Sequence, residues 1–133
     1  QTCALPILQV TWSLRRNRDK DLPASHTISI QFTLPPDFSH GGISEIRGVL
    51  MKQAEQTRGV SLAGIAVKVT NNFFLVGLNS TDADIQRNIQ MLKERQWFDI
   101  AIVYTDGRRA VLAVEKGNPG DRAFTYAFAA WGQ

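Results

Sequence analysis

Two strand-like runs, residues 98–105 and 108–115, flank the dipeptide Asp106-Gly107. An Asp-Gly pair between two such runs favours a type I′ turn, whose two central residues both take positive φ. The pattern predicts a β-hairpin in which Ile102 pairs with Val111. Both faces are apolar in the middle of the runs, so we expect this hairpin to lie centrally in a sheet that is covered on both sides.

Four further segments alternate apolar and polar residues and are interpreted as one-sided strands. Residues 8–14 and 27–34 are separated by a charged loop, which predicts an antiparallel meander. Residues 65–69 and 73–78 flank an Asn-Asn pair that tolerates positive φ, which predicts a second hairpin. Residues 48–58 are ambiguous between strand, loop and helix, and we interpret them as a short strand followed by a loop.

Two helices are predicted in the second half of the chain. Thr81 followed by Asp84 resembles a capping box, and apolar residues recur at i, i+4 and i+7 from Ile85, which predicts an amphipathic helix near 82–95 that packs on a sheet. Asn118-Pro119 has the form of an N-cap with proline in the first turn. Aromatic residues with the same spacing follow it, which predicts a C-terminal helix near 119–131 with its aromatic side buried.

Together these elements predict an α+β fold that is mainly an antiparallel β-sandwich, formed by one domain. The apolar content of 44% and charged content of 20% are typical of globular proteins. Residues 1–7 resemble the translation of a sequencing adapter, so the chain is interpreted as a metagenomic fragment whose β-rich domain spans 8–133 and is truncated upstream. Discounting Cys3 leaves no thiol for a disulfide, a metal site or a nucleophile.

The residue types that carry chemistry form no recognised catalytic, cofactor or metal motif. His26 and His40 are the only histidines, without the spacing of a metal site, and are interpreted as surface or loop residues. Asp82 and Asp84 suit helix capping. We therefore predict no cofactor and no metal, and favour a non-enzymatic function. A small-ligand or hydrolytic site in the loop 37–42 stays open as an alternative.

The predicted interaction surface combines aromatic and basic side chains. Three of them stand at or near the end of the central hairpin and the others at strand ends: Tyr104, Arg108, Arg109, Trp97, Arg15 and Arg16. The densest basic cluster is interpreted as a solvated loop, with contact to an anionic surface as the alternative; it consists of Arg15, Arg16, Arg18 and Lys20. No nucleic-acid partner is predicted, and the oligomeric state is left open.

The amino-acid sequences of several segments resemble those of an uncharacterised family from alphaproteobacteria. These segments are residues 62–69, 91–95, 97–100, 107–110 and 115–133. Members of that family carry an N-terminal membrane-spanning segment before this domain. The resemblance implies a domain on the periplasmic side of the inner membrane, tethered by a missing anchor, with a protein partner in the cell envelope.

A second resemblance is to the invasion-associated locus B family of periplasmic β-sandwich proteins. It lies in the order of a Gly-Ile-x-Val-Lys-Val strand (64–69), a short acidic-capped helix, a central hairpin and a Phe-rich C-terminal segment. The next strand of that family carries a close cysteine pair, and residues 73–78 have none. The resemblance therefore implies a shared architecture only.

Overall fold

The computed structural model describes residues 9–38 and 41–133, with side chains at all of these positions except 118, 119 and 121. The predicted adapter segment 1–7, the proposed native start at Leu8 and the pair Ser39-His40 lie outside the described residues. The described chain forms, in order, β1 (Gln9–Arg16), β2 (His26–Thr33), β3 (Ile43–Lys52), β4 (Val60–Ser61), β5 (Gly64–Thr70), β6 (Phe73–Leu78), α1 (Asp82–Glu94), β7 (Trp97–Tyr104), β8 (Arg109–Glu115) and α2 (Gly117–Ala130).

The strands form two antiparallel sheets that pack together as a sandwich, which confirms the predicted fold class. The first sheet has the order β1-β2-β6-β5 and the second the order β4-β3-β7-β8. Successive side chains of a strand point to opposite faces, so every second residue of β2, β6 and β7 reaches the space between the sheets. Nine of the eighteen buried hydrophobic residues among those described come from these positions: Ile28, Ile30, Phe32, Phe74, Val76, Leu78, Phe98, Ile100 and Ile102.

Both hairpins of the first sheet form as predicted. β1 pairs with β2 from Gln9 opposite Thr33 to Arg16 opposite His26. β5 and β6 join at Asn72, which takes a φ of 61°. The Asn72 side chain also links the two sheets, because its Oδ1 accepts a hydrogen bond of 3.0 Å from the backbone N–H of Ile43.

The ambiguous segment 48–58 is strand and then loop, as interpreted. The strand is longer than the sequence indicates, because β3 already begins at Ile43. Residues 53–59 form turns and bends before the short strand β4. β3 therefore supplies a full-length partner for β7 on the side away from β8.

The β7–β8 hairpin forms where predicted, but its predicted turn type is wrong. A type I′ turn needs positive φ at both central residues. Gly107 has a φ of 87°, whereas Asp106 is not among the described residues with positive φ. The Gly107 N–H donates to the Tyr104 carbonyl over 2.9 Å, and the Tyr104 N–H donates to the Arg108 carbonyl over 2.8 Å. These bonds define a three-residue loop with a glycine bulge.

The extra loop residue shifts the register by one position. Ile100 pairs with Leu112, and Phe98 pairs with Val114. A shift of one residue moves every side chain of a strand to the other face. The observed register therefore places Leu112 and Val114 on the core side, where the predicted register would have placed Glu115 opposite Phe98.

The prediction that both strands of this hairpin are covered on both sides is also wrong. β7 lies inside its sheet, but β8 is the edge strand. Val111, in the middle of β8, is 62% exposed. The sandwich has only two layers, so the outer faces of its sheets meet solvent wherever no helix lies over them.

Helix α1 begins as predicted, with the Thr81 Oγ1 accepting from the Asp84 N–H over 3.4 Å. Its buried residues are Asn88, Met91 and Leu92, and the predicted stripe positions Ile85 and Ile89 are only half-buried. Its C-terminal end is capped by another element: the Lys116 ammonium donates to the Leu92 carbonyl over 2.8 Å. A cation at this end of a helix is stabilised by the helix dipole.

Helix α2 closes the open side of the sandwich next to β1. It includes Gly117 and the residue after it, so the predicted N-cap at Asn118 is wrong, while the predicted extent of the helix agrees within two residues. Phe124 and Phe128 are buried, which confirms the aromatic stripe. The Phe124 ring packs edge-on against Trp12 of β1, with 4.7 Å between ring centroids.

Candidate interaction surfaces

The tip of the β7–β8 hairpin presents two cations beside a half-buried aromatic ring. Arg108 and Arg109 are exposed. The Arg108 N–H donates to the Asp106 Oδ1 over 3.0 Å, which fixes the turn. Tyr104 packs against Phe38, with 5.5 Å between ring centroids. The tip is a rigid basic projection, and the tyrosine is part of its support.

The other three residues of the predicted surface lie elsewhere. Arg16 pairs with His26 at the end of the first sheet opposite to Asn72, and Arg15 is its neighbour. About six strand residues, or roughly 20 Å, separate the end of the sheet at Arg16 from the end at Asn72. Trp97 begins β7, seven residues before Tyr104. The six predicted residues therefore form two separate groups, one at each end of the sandwich.

The basic cluster in the β1–β2 loop surrounds a concavity. The volume of this concavity is about 600 Å³, and its lining residues are Arg16, Asn17, Arg18, Asp19, Lys20, Leu22 and Ala24. The three basic residues are exposed. Among the described residues, no carboxylate forms an ion pair with any of them. Three exposed cations therefore border one shallow, open depression, together with one aspartate, Asp19.

The most exposed apolar surface is on β5, which sequence reasoning did not single out. Ile65, Val67 and Val69 are 71%, 58% and 51% exposed. Ile65 and Val67 alternate with Ala66 and Lys68 and project from the outer face of the first sheet, while Val69 lies at the register shift before Thr70. On the same face of neighbouring β6, Phe73 and Leu75 are half-buried and extend the apolar surface.

The edge of β5 away from β6 is paired with no other described strand, although it lies next to β3. In the order of its sheet β5 has one neighbour, β6, on one side. A cleft of about 340 Å³ separates its other side from β3, lined from β5 by Gly64, Ile65 and Ala66. An edge strand normally avoids pairing with other chains through charges, prolines or bulges. β5 carries one charge, Lys68, and a register shift between Lys68 and Thr70, but no proline.

The one described histidine is in the core, so its interpretation as a surface or loop residue is wrong. His26 is 1% exposed and packs against Trp131, with 5.4 Å between ring centroids. Its Nε2 lies 2.8 Å from Gln133 Oε1, and its Nδ1 lies 3.0 Å from Ser25 Oγ. Burial lowers the pKa of His26 below 6.5; the bond to Gln133 opposes this effect, and the positive charge of Arg16 adds to it.

The buried histidine makes the stability of the fold depend on pH. Because its pKa is lower in the folded state, the unfolded chain binds the proton first as the pH falls. Stability present above pH 6.5 is therefore lost as the pH falls toward the folded-state pKa. We expect urea denaturation to give a lower free energy of unfolding at about pH 5 than at about pH 7.5.

The matched variant is H26Q, in which position 26 does not titrate and His40 is unchanged. We expect H26Q to be less stable than the wild type at neutral pH and to lose less stability between neutral pH and pH 5. Equal losses in the two proteins would contradict this assignment.

The remaining candidates give no second site among the residues that the structure describes. Asp37 is exposed, and the Ser39-His40 part of the alternative site lies outside the described residues. No group of three or more metal-ligating side chains is found in residues 9–38 and 41–133. Asp99 of β7 lies 2.7 Å from the ammonium of buried Lys52 and forms an ion pair.

Comparison with protein-family models, with curated proteins and with solved structures finds no match for this chain. Both family resemblances therefore stay predictions. Neither described helix has the length and apolar character needed to cross a bilayer.

Proposed function

We propose that this domain is a non-enzymatic interaction module of the cell envelope, tethered to the membrane in the full-length protein. The observation that carries the proposal is the row of exposed apolar residues on β5, Ile65, Val67 and Val69. Contiguous apolar surface of this kind marks interaction sites in soluble proteins. The tether and the periplasmic location are supported by the alphaproteobacterial resemblance alone.

The occupant that fits this surface is an extended segment of a protein partner, which adds to β5 as a fifth strand. Main-chain hydrogen bonds give affinity in this mode, and side chains at alternate positions give specificity. Apolar side chains on one face of the added strand would pack beside Val67. The other face would meet Lys68, which forms no ion pair with a carboxylate of the described residues. Charge complementarity therefore specifies an acidic residue at that position of the partner.

The proposal is tested by photo-crosslinking in cells that express the full-length protein. A photoreactive amino acid replaces Val67 in one strain and Val111 in another. These two valines are a matched pair, because both are on edge strands and are 58% and 62% exposed. We expect a discrete adduct from position 67 that is absent from position 111. We also expect K68E to reduce its yield at least fivefold, since reversing the charge repels an acidic partner.

Three outcomes would overturn the proposal. One is the same set of adducts from both positions, and another is no adduct from position 67. The third is an adduct of twice the chain's own mass, which would identify a second copy as the occupant. To support the proposal, the adduct must contain a peptide of the predicted type, extended and with an acidic residue next to the crosslink.

A further inference from the structure

The β1–β2 loop has the properties of an anion site, and it is independent of the proposed contact at β5. The loop joins two strands at the far end of the first sheet from Asn72. Its three cations line one hollow instead of spreading over the surface, as described above. We propose that this loop binds a phosphate group.

The Asn17 side chain makes more hydrogen bonds within the loop than any other side chain of the loop. The Asn17 Nδ2 donates to the carbonyls of Asp19, Leu22 and Ala24 over 3.0, 3.0 and 2.7 Å. Its Oδ1 accepts from the Asp19 N–H over 2.9 Å. These bonds tie together positions across the whole loop, so the backbone from which the basic side chains project is fixed before any ligand arrives. Preorganisation of this kind lowers the entropic cost of binding.

The two aspartates of the loop, Asp19 and Asp21, offset part of its positive charge but form no ion pair with its cations among the described residues. The Asp19 Oδ1 accepts a hydrogen bond of 3.0 Å from the Asp21 N–H, so this carboxylate serves the turn. Backbone bonds from Asn17 N–H to the Ser25 carbonyl and from Ser25 N–H to the Leu78 carbonyl anchor the loop base to the sheet. The fixed framework is thus made by neutral groups and one aspartate, while the guanidinium and ammonium groups stay available.

The chemistry of these groups selects phosphate. A guanidinium is planar and donates two parallel hydrogen bonds to the oxygens of one phosphate, and an ammonium adds a point charge. Arg16 and Arg18 supply two guanidinium groups, and Lys20 supplies one ammonium group. Two sources present the same group: the headgroup of an anionic phospholipid and a free phosphate in solution.

The test uses the whole domain with two probes, inorganic phosphate and lipid vesicles. Phosphate is titrated into ¹⁵N-labelled protein, and we expect amide shifts confined to the loop 16–25. Vesicles of phosphatidylcholine with and without phosphatidylglycerol are used in co-sedimentation. Loop shifts with free phosphate alone identify a soluble ligand, and sedimentation with the anionic vesicles identifies a lipid headgroup. Both results support a phosphate site.

Two triple variants separate a built site from general positive charge. R16Q/R18Q/K20Q removes the three cations of the loop, and R108Q/R109Q/R122Q removes three exposed cations elsewhere. We expect the first to weaken binding about a hundredfold, at about fivefold per basic residue, and the second to leave it within about threefold. N17A keeps every charge but loosens the loop, and we expect it to weaken binding about tenfold while remaining folded.

The proposal is overturned if neither probe affects the loop or if the two triple variants weaken binding equally. It is also overturned if N17A, shown to be folded by its amide spectrum, binds like the wild type. None of these results bears on the crosslink expected at Val67, so the two proposals can fail separately.

Discussion

Replacing Phe128 with alanine should lower the free energy of unfolding by about 3–5 kcal/mol, the range observed when a buried phenylalanine is truncated. Phe128 is fully buried and contacts the rings of Phe124, Trp131 and His26. The cavity left by the deleted ring would lie where α2 closes the sandwich. A loss of this size is a large fraction of the total stability of an ordinary domain, which is about 5–15 kcal/mol.

The matched control for this prediction is Y126A on the same helix. Tyr126 is 80% exposed, so its truncation removes an aromatic ring of similar size without opening a cavity. We expect Y126A to change the free energy of unfolding by less than about 0.5 kcal/mol. Chemical denaturation of both variants measures the difference. Equal losses in F128A and Y126A would contradict the packing of α2 onto the sandwich.

The second large effect is expected at Asn88, a polar side chain in the buried face of α1. Its Oδ1 accepts from the Ala63 N–H over 2.9 Å, and its Nδ2 donates to the Ala63 carbonyl over 3.0 Å. The side-chain amide thus pairs with both polar groups of one residue between β4 and β5. N88A would leave the Ala63 N–H without this partner, at a cost of about 1–3 kcal/mol, whereas the Ala63 carbonyl keeps the hydrogen bond of 2.9 Å that it accepts from the Asn79 N–H.

We therefore expect N88A to lose about 2–4 kcal/mol of stability, from the unsatisfied N–H and the lost bond to the carbonyl together. N88D tests the hydrogen-bond pattern, since a carboxylate keeps the acceptor for the Ala63 N–H but places a negative charge beside the Ala63 carbonyl. We expect N88D to be at least as destabilised as N88A at neutral pH and to recover part of the loss on acidification, when the carboxyl can donate. Q90A, at an exposed position of the same helix, is the control. Chemical denaturation measures the free energy of unfolding of each variant. A loss for N88A that is no larger than the loss for Q90A would exclude the hydrogen bonds between Asn88 and Ala63.

The strands were predictable because burial on one face produces an alternating pattern in the sequence. The pattern does not encode the conformation of a turn residue. At Asp106 a single φ angle decides between a two-residue and a three-residue loop, and thereby which residue faces Ile102. The apolar side chains of β8 favour the observed register, since it places Leu112 rather than Val111 on the core side, and this comparison could have been made from the sequence.

Long-range contacts explain the residues that sequence reasoning missed. Asn88 lies on an apparently ordinary helix, and its partner Ala63 is 25 residues away. His26 begins a strand, and the ring that covers it belongs to Trp131 at the opposite end of the sequence. Neither relationship leaves a local pattern. Burial at these positions follows only from the way α1 and α2 are packed onto the strands.

The candidate surfaces were predictable in part. The basic loop was visible as a cluster, but its arrangement around a hollow depends on the hydrogen bonds of Asn17. The β5 surface was hidden because an alternating strand does not reveal which of its faces is buried. In β5 the face that carries Ala66 points inward, and the face that carries Val67 points outward. The consecutive apolar residues 73–76 on β6 were the available signal that the outer face of this sheet is apolar.

The position of the two open strands β5 and β8 has a consequence for the domain at high concentration. They terminate different sheets and lie on opposite flanks of the sandwich, β5 next to β3 and β8 beyond β7. If β5 of one molecule docked on β8 of the next, the contact would be head-to-tail, leaving a free flank at each end of the pair. Contacts of this class propagate into filaments instead of closing into small symmetric oligomers. Arg109 and Glu115, which share the outward face of β8 with Val111, place a charge at each end of this edge and oppose such pairing.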